Sequence, residues 1–178
     1  MASEARQRLS DDHRAVNEVL KQLLTALNNK DVEASYSKLD LLWARLAVHI
    51  RAEHLHLFPT VINRLATDST EAQSVVDNLR ADHDFFMREL ARAVGILREL
   101  PAPLENREDE GKLNSVLDVV LEVEKRLAIH NETEENQVYC WASTILREPE
   151  QIELAARINT ELEHRPPRFS VEAWANNP

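Results

Sequence analysis

Apolar residues recur at intervals of three and four along nearly the whole chain of 178 residues. This spacing places them on one face of a helix and is typical of helices that pack along a shared seam. A barrel or sandwich needs many tight turns, and tight turns need glycine and proline. The chain has only 2 glycines and 7 prolines. The sequence therefore predicts an all-α protein built from long helices.

Three interruptions of this periodicity divide the chain into four long helices. Turn-forming or linker residues lie near residue 30, near residue 68 and over residues 101–106. Pro59 is expected to kink or interrupt the second helix before a last turn through Leu65, because proline lacks an N–H and its ring clashes with the preceding turn. Thr70 and Gln73 have the spacing of a capping box, which would open the third helix.

The number and the lengths of these helices predict the architecture. Four helices of similar length with few interruptions bury their apolar faces most simply as an antiparallel up-down-up-down four-helix bundle. We assign residues 8–147 to this bundle. We assign residues 148–178 to a short C-terminal helix, near residues 151–163, and a loosely held tail. We identify no internal repeat at a fixed period.

Charge and composition argue against several partners and locations. The chain carries 31 acidic and 21 basic residues, a net charge of −10, which disfavours a nucleic-acid partner. No apolar run reaches the roughly 20 residues that span a bilayer, and the N-terminus has no signal-peptide pattern. The single cysteine, Cys140, excludes an internal disulfide framework and suits a reducing compartment. We therefore expect a cytoplasmic protein without a membrane partner, either a monomer or a homodimer.

Histidines and glutamates interrupt the apolar faces at positions where core residues are expected. The second and fourth helices place Glu53 and Glu134 four residues after a histidine, which puts both side chains on one helical face. Unpaired ionisable groups in such positions would cost several kcal/mol each. Six of them in one bundle require a common explanation. Each helix has one histidine on its inward face: His13, His49, His83 and His130.

The six side chains are expected to lie at one level of the bundle. Counting from the turns near residues 30, 68 and 107, at about 1.5 Å per residue, places them within roughly two helical turns of one another. Four imidazoles and two carboxylates at one level are typical of a metal site. Each glutamate can bridge two ions while the histidines supply two nitrogens per ion. Mixed imidazole and carboxylate ligands suit iron or manganese.

In these motifs the sequence resembles the hemerythrin-like family of His-His-Glu cation-binding domains. The resemblance covers roughly residues 8–147 and implies a non-haem di-iron centre, with two iron ions joined by a bridging oxide or hydroxide. The small molecules that it implies as ligands are dioxygen (O2), hydrogen peroxide (H2O2) and nitric oxide (NO), or iron alone is bound. The motifs that carry it, in order, are His13, His49-Ile50-Arg51-Ala52-Glu53, His83 and His130-Asn131-Glu132-Thr133-Glu134.

Three positions depart from the pattern of this family. Met87 stands where oxygen-carrying members have a second histidine on the third helix. The fourth helix has His-x-x-x-Glu in place of their His-x-x-x-x-Asp. These two departures disfavour simple oxygen carriage and favour peroxide chemistry or iron handling. The third is His54, where the family usually has a glutamate, and His54 would either bind metal as a fifth histidine or lie beside the site.

Two classes of function follow from the residues and the resemblance. The protein is either a redox enzyme, with decomposition of hydrogen peroxide as the leading reaction, or a non-enzymatic protein that binds, senses or stores O2, NO or iron. Repair of damaged iron clusters by iron donation is a third alternative. The predicted metal ligands are His13, His49, Glu53, His54, His83, His130 and Glu134.

Several neighbours of these ligands have two interpretations. Asp12 and Asp82 either orient an imidazole or lie on the solvated surface. Tyr139 would hydrogen-bond near the site only if its helix turned it inward. His56 lies near Glu53, and we interpret it as a buried polar residue beside the site rather than as a ligand.

Overall fold

The structure is a computed structural model that describes residues 4–65, 70–171 and 174. All regular secondary structure in these ranges is helical, which confirms the prediction of an all-α chain. The elements, in chain order, are α1 (Glu4–Asn28), α2 (Val32–Ala52), the π-helical turn π1 (Glu53–Leu57), α3 (Phe58–Leu65), α4 (Thr70–Glu99), α5 (Arg107–Thr133), the π-helical turn π2 (Glu134–Val138), α6 (Tyr139–Ile145) and α7 (Glu148–Leu162).

The four long helices α1, α2, α4 and α5 form a bundle. Helix α1 packs against α2 and α5, helix α4 packs against α2 and α5, and α7 lies against α1 and α2. None of the helices in the described part of the chain is both long enough and apolar enough to cross a membrane.

A polar layer divides the core of the bundle into two apolar clusters. On α1, Leu9 belongs to one cluster and Val16 to the other, with His13 between them. On α4, Leu79 and Phe86 are separated in the same way by His83. The histidines of the apolar seams therefore lie at one level, between two packed regions that exclude water.

Two of the three predicted connections lie in the described residues. Helix α2 begins after Asp31, whose carboxylate accepts a hydrogen bond from the backbone N–H of Ala34. Helix α5 begins after Asn106, which accepts a bond from the N–H of Asp109. The turn predicted near residue 68 lies outside the described residues, and α4 begins at Thr70 directly after that gap.

The second helix is interrupted before Pro59 and continues as α3 to Leu65, as expected. The π1 turn forms the interruption, and the N–H of Phe58 bonds to the carbonyl of Glu53 five residues earlier. Helix α7 begins at Glu148, earlier than predicted, because Pro149 lies in its first turn, where a missing N–H costs nothing.

The described residues after α7 contact the bundle. Arg168 donates two hydrogen bonds of 3.0 Å to the carboxylate of Asp40 on α2. Arg45 donates one of 2.8 Å to the carbonyl of Trp174. The tail predicted to be loosely held also includes residues 172–173 and 175–178, which lie outside the described residues.

Candidate metal centre

The polar layer consists of six buried side chains, one histidine from each long helix and two glutamates. The histidines are at most 4% exposed and both glutamates are 0% exposed. Glu53 is the first residue of π1 and Glu134 is the first residue of π2. Ionisable groups buried to this degree are stable only with partners. The histidines are His13 on α1, His49 on α2, His83 on α4 and His130 on α5.

The six side chains form two groups that share the glutamates. Nε2 of His13 lies 3.1 Å from Nε2 of His49. Nε2 of His83 lies 3.0 Å from Nε2 of His130. We call the two sets the His13 group (His13, His49 and one oxygen of each glutamate) and the His83 group (His83, His130 and the other two oxygens). Within each group the potential ligand atoms lie within 4.8 Å of one another.

Each glutamate directs one oxygen to each group. Oε1 of Glu53 lies 3.4 Å from Nε2 of His49, and its Oε2 lies 3.4 Å from Nε2 of His83. Oε2 of Glu134 lies 3.3 Å from Nε2 of His13, and its Oε1 lies 3.2 Å from Nε2 of His130. Both carboxylates therefore stand where they could bridge two ions, with two nitrogens and two oxygens for each ion.

These distances and the unpaired atoms fit metal binding. Two ligands about 2.0–2.2 Å from one ion and about 90° apart lie about 3 Å from each other, close to the contacts observed. In the described part of the chain, Oε2 of Glu53 and Oε1 of Glu134 are buried and have no hydrogen-bond partner. Facing imidazole nitrogens about 3 Å apart also need a proton or a metal ion between them, because their lone pairs repel.

Carboxylates hold three of the four imidazoles from behind. Oδ2 of Asp12 lies 2.9 Å from Nδ1 of His49, and Oε1 of Glu135 lies 2.9 Å from Nδ1 of His13. Oδ2 of Asp82 lies 3.3 Å from Nδ1 of His130. A carboxylate that accepts the Nδ1–H fixes the ring and leaves Nε2 free to bind metal. Asp12 and Asp82 thus orient imidazoles, which was one of their two interpretations.

Burial and charge shift the pKa values of the histidines in opposite directions. Burial lowers the pKa of His49, but the charge of Glu53 and the hydrogen bond to Asp12 outweigh it and raise that pKa well above its usual value. Burial also lowers the pKa of His130, but Glu134 and Asp82 raise it to about 9. For His83 burial prevails, and its pKa lies well below the usual value.

The pKa values of the two glutamates also shift in opposite directions. Burial raises the pKa of Glu53, and the nearby charge of Glu134 raises it further. Burial also favours a raised pKa for Glu134, but the charge of His130 and the hydrogen bond with His13 hold it well below the usual range. Protons on these imidazoles occupy positions that a metal ion would take, so metal binding would release them.

The π2 turn brings Tyr139 into the centre. In an α-helix a residue five positions after Glu134 would lie about 140° away around the axis. In π2 the N–H of Tyr139 bonds to the carbonyl of Glu134, so that both side chains share one face. The Tyr139 hydroxyl donates a bond of 3.0 Å to Oε1 of Glu53 and lies 3.1 Å from Nε2 of His13. Tyr139 is therefore turned inward, the case in which the sequence predicts that it hydrogen-bonds near the site.

A family model described as the hemerythrin HHE cation-binding domain matches residues 4–142. The chain belongs to this family. Comparison with curated proteins and with solved structures gave no match. The resemblance identified from the motifs is confirmed, and the matched range includes all six residues of the two groups in this hemerythrin domain.

The structure places His54 outside the two groups. Its Nε2 lies 2.9 Å from Nδ1 of His83, on the side of that ring that faces away from the glutamates. His56, interpreted from the sequence as a buried polar residue, is only partly buried, and its Nε2 lies 3.8 Å from Oε1 of Glu161 on α7. Of the seven predicted ligands, six converge and His54 contacts one of them from behind.

Two residues of this hemerythrin domain's centre had no assigned role in the sequence. Glu135 binds His13, and the Phe58 ring stacks on His83 with centroids 5.8 Å apart. A signal exists for Phe58 but not for Glu135, because residues 45–58 and 126–139 share the pattern Arg-x-x-x-His-x-x-x-Glu followed by an aromatic residue five positions after the glutamate. The two copies are 81 positions apart, and each lies in a different half of the bundle.

A small cavity lies beside the four histidines. Its volume is about 10 Å³, which is room for about one water-sized molecule. Apart from the imidazoles and Asn131, its lining is apolar: Val16, Leu46, Ile50, Phe86 and Leu127. A molecule that reaches it lies beside the four imidazole rings, among apolar side chains.

Proposed function

We propose that this hemerythrin domain holds two iron ions, joined by a bridging oxide or hydroxide, and that it decomposes hydrogen peroxide. The reaction converts two molecules of H2O2 into one O2 and two H2O. One peroxide loses two electrons and two protons, and the other accepts them as its O–O bond breaks. Two bound iron ions would supply the redox couple that stores the two electrons between these halves.

The two groups are the proposed ligands of the two ions. The His13 group would hold one ion and the His83 group the other, with Glu53 and Glu134 bridging them. His54 is proposed to position His83 rather than to bind metal. This assignment is supported by contacts of 3.2–3.4 Å between each carboxylate and both groups. It is also supported by two buried carboxylate oxygens that have no hydrogen-bond partner.

The Tyr139 hydroxyl is the observation that favours peroxide chemistry over simple binding. Burial and the charges of Glu134 and Glu53 raise the pKa of Tyr139 well above its usual value, so the phenol keeps its proton at neutral pH. It donates a hydrogen bond of 3.0 Å to Oε1 of Glu53, so it stands at the His13 group with a proton to give. Because peroxide decomposition moves two protons between two peroxides, a buried proton donor beside the proposed ions serves it directly.

The experiment measures metal and turnover on the same sample. Protein produced in iron-replete medium should contain two irons per chain and release half a mole of O2 per mole of peroxide consumed. Tyr139→Phe should keep both irons and lose most of this turnover. Protein that contains two irons but releases no O2 would refute the peroxide proposal and leave the metal assignment standing.

The alternative is non-enzymatic binding, sensing or storage of O2, NO or iron. It is favoured by the apolar lining of the cavity, formed by residues such as Val16, Leu46 and Phe86, which suits a small neutral molecule. A reversible change in the absorption spectrum on adding and removing O2 or NO, without turnover of peroxide, would support it.

Two further points belong to the proposal. The antiparallel up-down-up-down order is supported by the short connection between α1 and α2, which allows His13 and His49 to meet 17 and 19 residues on either side of Lys30. A cytoplasmic location is supported by the single cysteine, since disulfide frameworks mark oxidising compartments.

A further inference from the structure

The two halves of the centre correspond residue by residue. Asp12 on α1 binds His49 on α2, and Asp82 on α4 binds His130 on α5 in the same way. The aromatic residue after each π turn stacks on a histidine of the other half. The centroid distance is 5.8 Å both for Phe58 on His83 and for Tyr139 on His13. The matched pairs, first half before second, are Asp12 and Asp82, His13 and His83, Arg45 and Arg126, His49 and His130, Glu53 and Glu134, His54 and Glu135, and Phe58 and Tyr139.

Two of these pairs differ in chemistry: His54 against Glu135, and Phe58 against Tyr139. Both differences distinguish the surroundings of the His13 group from those of the His83 group. The residue after each glutamate reaches the imidazole of the opposite half from behind. Glu135 presents a carboxylate oxygen to Nδ1 of His13 at 2.9 Å. His54 presents an imidazole nitrogen to Nδ1 of His83 at the same distance. Likewise the hydroxyl of Tyr139 enters the His13 group, whereas Phe58 has none to offer the His83 group.

The consequence is an unequal electrostatic environment for two ions. Both imidazoles of the His13 group are backed by carboxylates, at 2.9 Å each. In the His83 group only His130 has one, at 3.3 Å. A carboxylate behind a ligand imidazole strengthens metal binding by stabilising positive charge and fixing the ring, and its loss typically costs 10–100-fold in affinity. The His54 imidazole supplies the positioning without the negative charge.

We propose that the two positions fill in order, the His13 group first and the His83 group second, and that the His54 and Glu135 pair sets this order. The inference rests on the proposed two-metal function. The His83 group binds its ion about 10–100-fold more weakly, and it is the position from which metal leaves and to which it returns.

The test is a titration of chelator-treated full-length protein with cobalt(II), a redox-stable probe, followed by its visible absorption and by calorimetry. The wild type should bind in two steps about 10–100-fold apart. His130→Ala should keep the tight step and lose the weak one, and His49→Ala should do the reverse. Two equal steps in the wild type, or loss of the tight step in His130→Ala, would overturn the proposed order.

Two substitutions test the pair that sets the order. His54→Glu restores the matching carboxylate and should tighten the weak step towards the strong one, with His54→Gln as the uncharged control. Glu135→Gln should weaken the tight step by about 10–100-fold and leave the weak step unchanged. Helix content from circular dichroism establishes that each variant folds. If His54→Glu does not fold, Glu135→Gln alone tests the pair.

The remaining outcomes are also decisive. If His54→Gln removes the weak step altogether, His54 is itself a ligand and the inference is wrong. If the wild type binds neither cobalt nor iron, the proposed function fails and this inference fails with it. Two equal steps overturn the inference alone, because two bound ions keep the proposed function intact.

Discussion

Replacing Glu53 by glutamine should remove one of the two carboxylate bridges between the metal positions. The carboxylate lies 3.4 Å from Nε2 of His49 through one oxygen and 3.4 Å from Nε2 of His83 through the other. Glutamine keeps the shape but carries no charge, and its NH₂ group cannot bind metal. Its amide oxygen can serve only one of the two groups, so the other group falls from four donors to three and the bridge between them is lost. Glu53→Gln should therefore contain one iron per chain or none.

The effect on stability follows from linkage. A bound ion at about 1,000 times its dissociation constant stabilises the fold by about 4 kcal/mol. For a chain of 150–250 residues, 1 kcal/mol corresponds to about 2–4 °C in Tm. Loss of one ion should therefore lower the Tm of iron-loaded protein by about 8–16 °C. Without metal the fall should be smaller, because the lost attraction to His49 is offset by relief of the repulsion from Glu134.

The assay combines iron content per chain with thermal unfolding of iron-loaded and chelator-treated samples. Glu132→Gln, an exposed glutamate two residues before Glu134, is the matched control and should change neither quantity. The bridging assignment is wrong if Glu53→Gln retains two irons with an unchanged absorption spectrum. It is also wrong if the Tm falls equally with and without metal.

Three other predictions follow from the same contacts. Tyr139→Phe should slow peroxide turnover about 100-fold with iron content unchanged, and an unchanged rate would remove the hydroxyl from the chemistry. Asp12→Asn should weaken metal binding about 10–100-fold in chelator competition, whereas the exposed Asp118→Asn should not. In chelator-treated protein the raised pKa of His130, about 9, adds stability that is complete below about pH 6.5 and lost as the pH rises through about 9. Urea unfolding should show the free energy of unfolding falling over that range, with about 3 kcal/mol of the fall from His130, and a flat profile would contradict it.

The helices and the convergence of six side chains could be predicted because both follow from the spacing of residues along the sequence. Apolar spacing sets which face is buried, and a rise of about 1.5 Å per residue sets the height of His13 or Glu53 along its helix. That the six residues bind metal stays a prediction. The family could be predicted because four short motifs occur in a fixed order, and the match over residues 4–142 confirms it.

The environment of the site could not be predicted by counting alone. The choice between a four-residue and a five-residue hydrogen bond leaves no mark in composition, yet it decides whether Tyr139 faces the centre or lies about 140° away. The contacts of Glu135 and His54 cross between the two halves of the bundle, so they depend on how the helices pack. The pattern shared by residues 45–58 and 126–139 was readable, but its two copies carry different residues at the informative positions.

The π turns explain how one stretch of helix can provide both a buried glutamate of the centre and an aromatic contact five residues later. In a continuous α-helix the positions that share a face with Glu134 are three or four residues away, and Val138 would occupy the place beside the opposite histidine. The five-residue turn gives that place to Tyr139, and at π1 it gives it to Phe58 instead of Leu57. Both turns begin at the glutamates themselves. The backbone irregularity therefore lies where the centre needs an extra residue, which is the usual association of π turns with functional sites. Both π turns place an aromatic side chain beside the histidine of the other half, so the backbone of the centre is symmetric. The side chains are not, because Tyr139 brings a hydroxyl to the His13 group and Phe58 brings none to the His83 group.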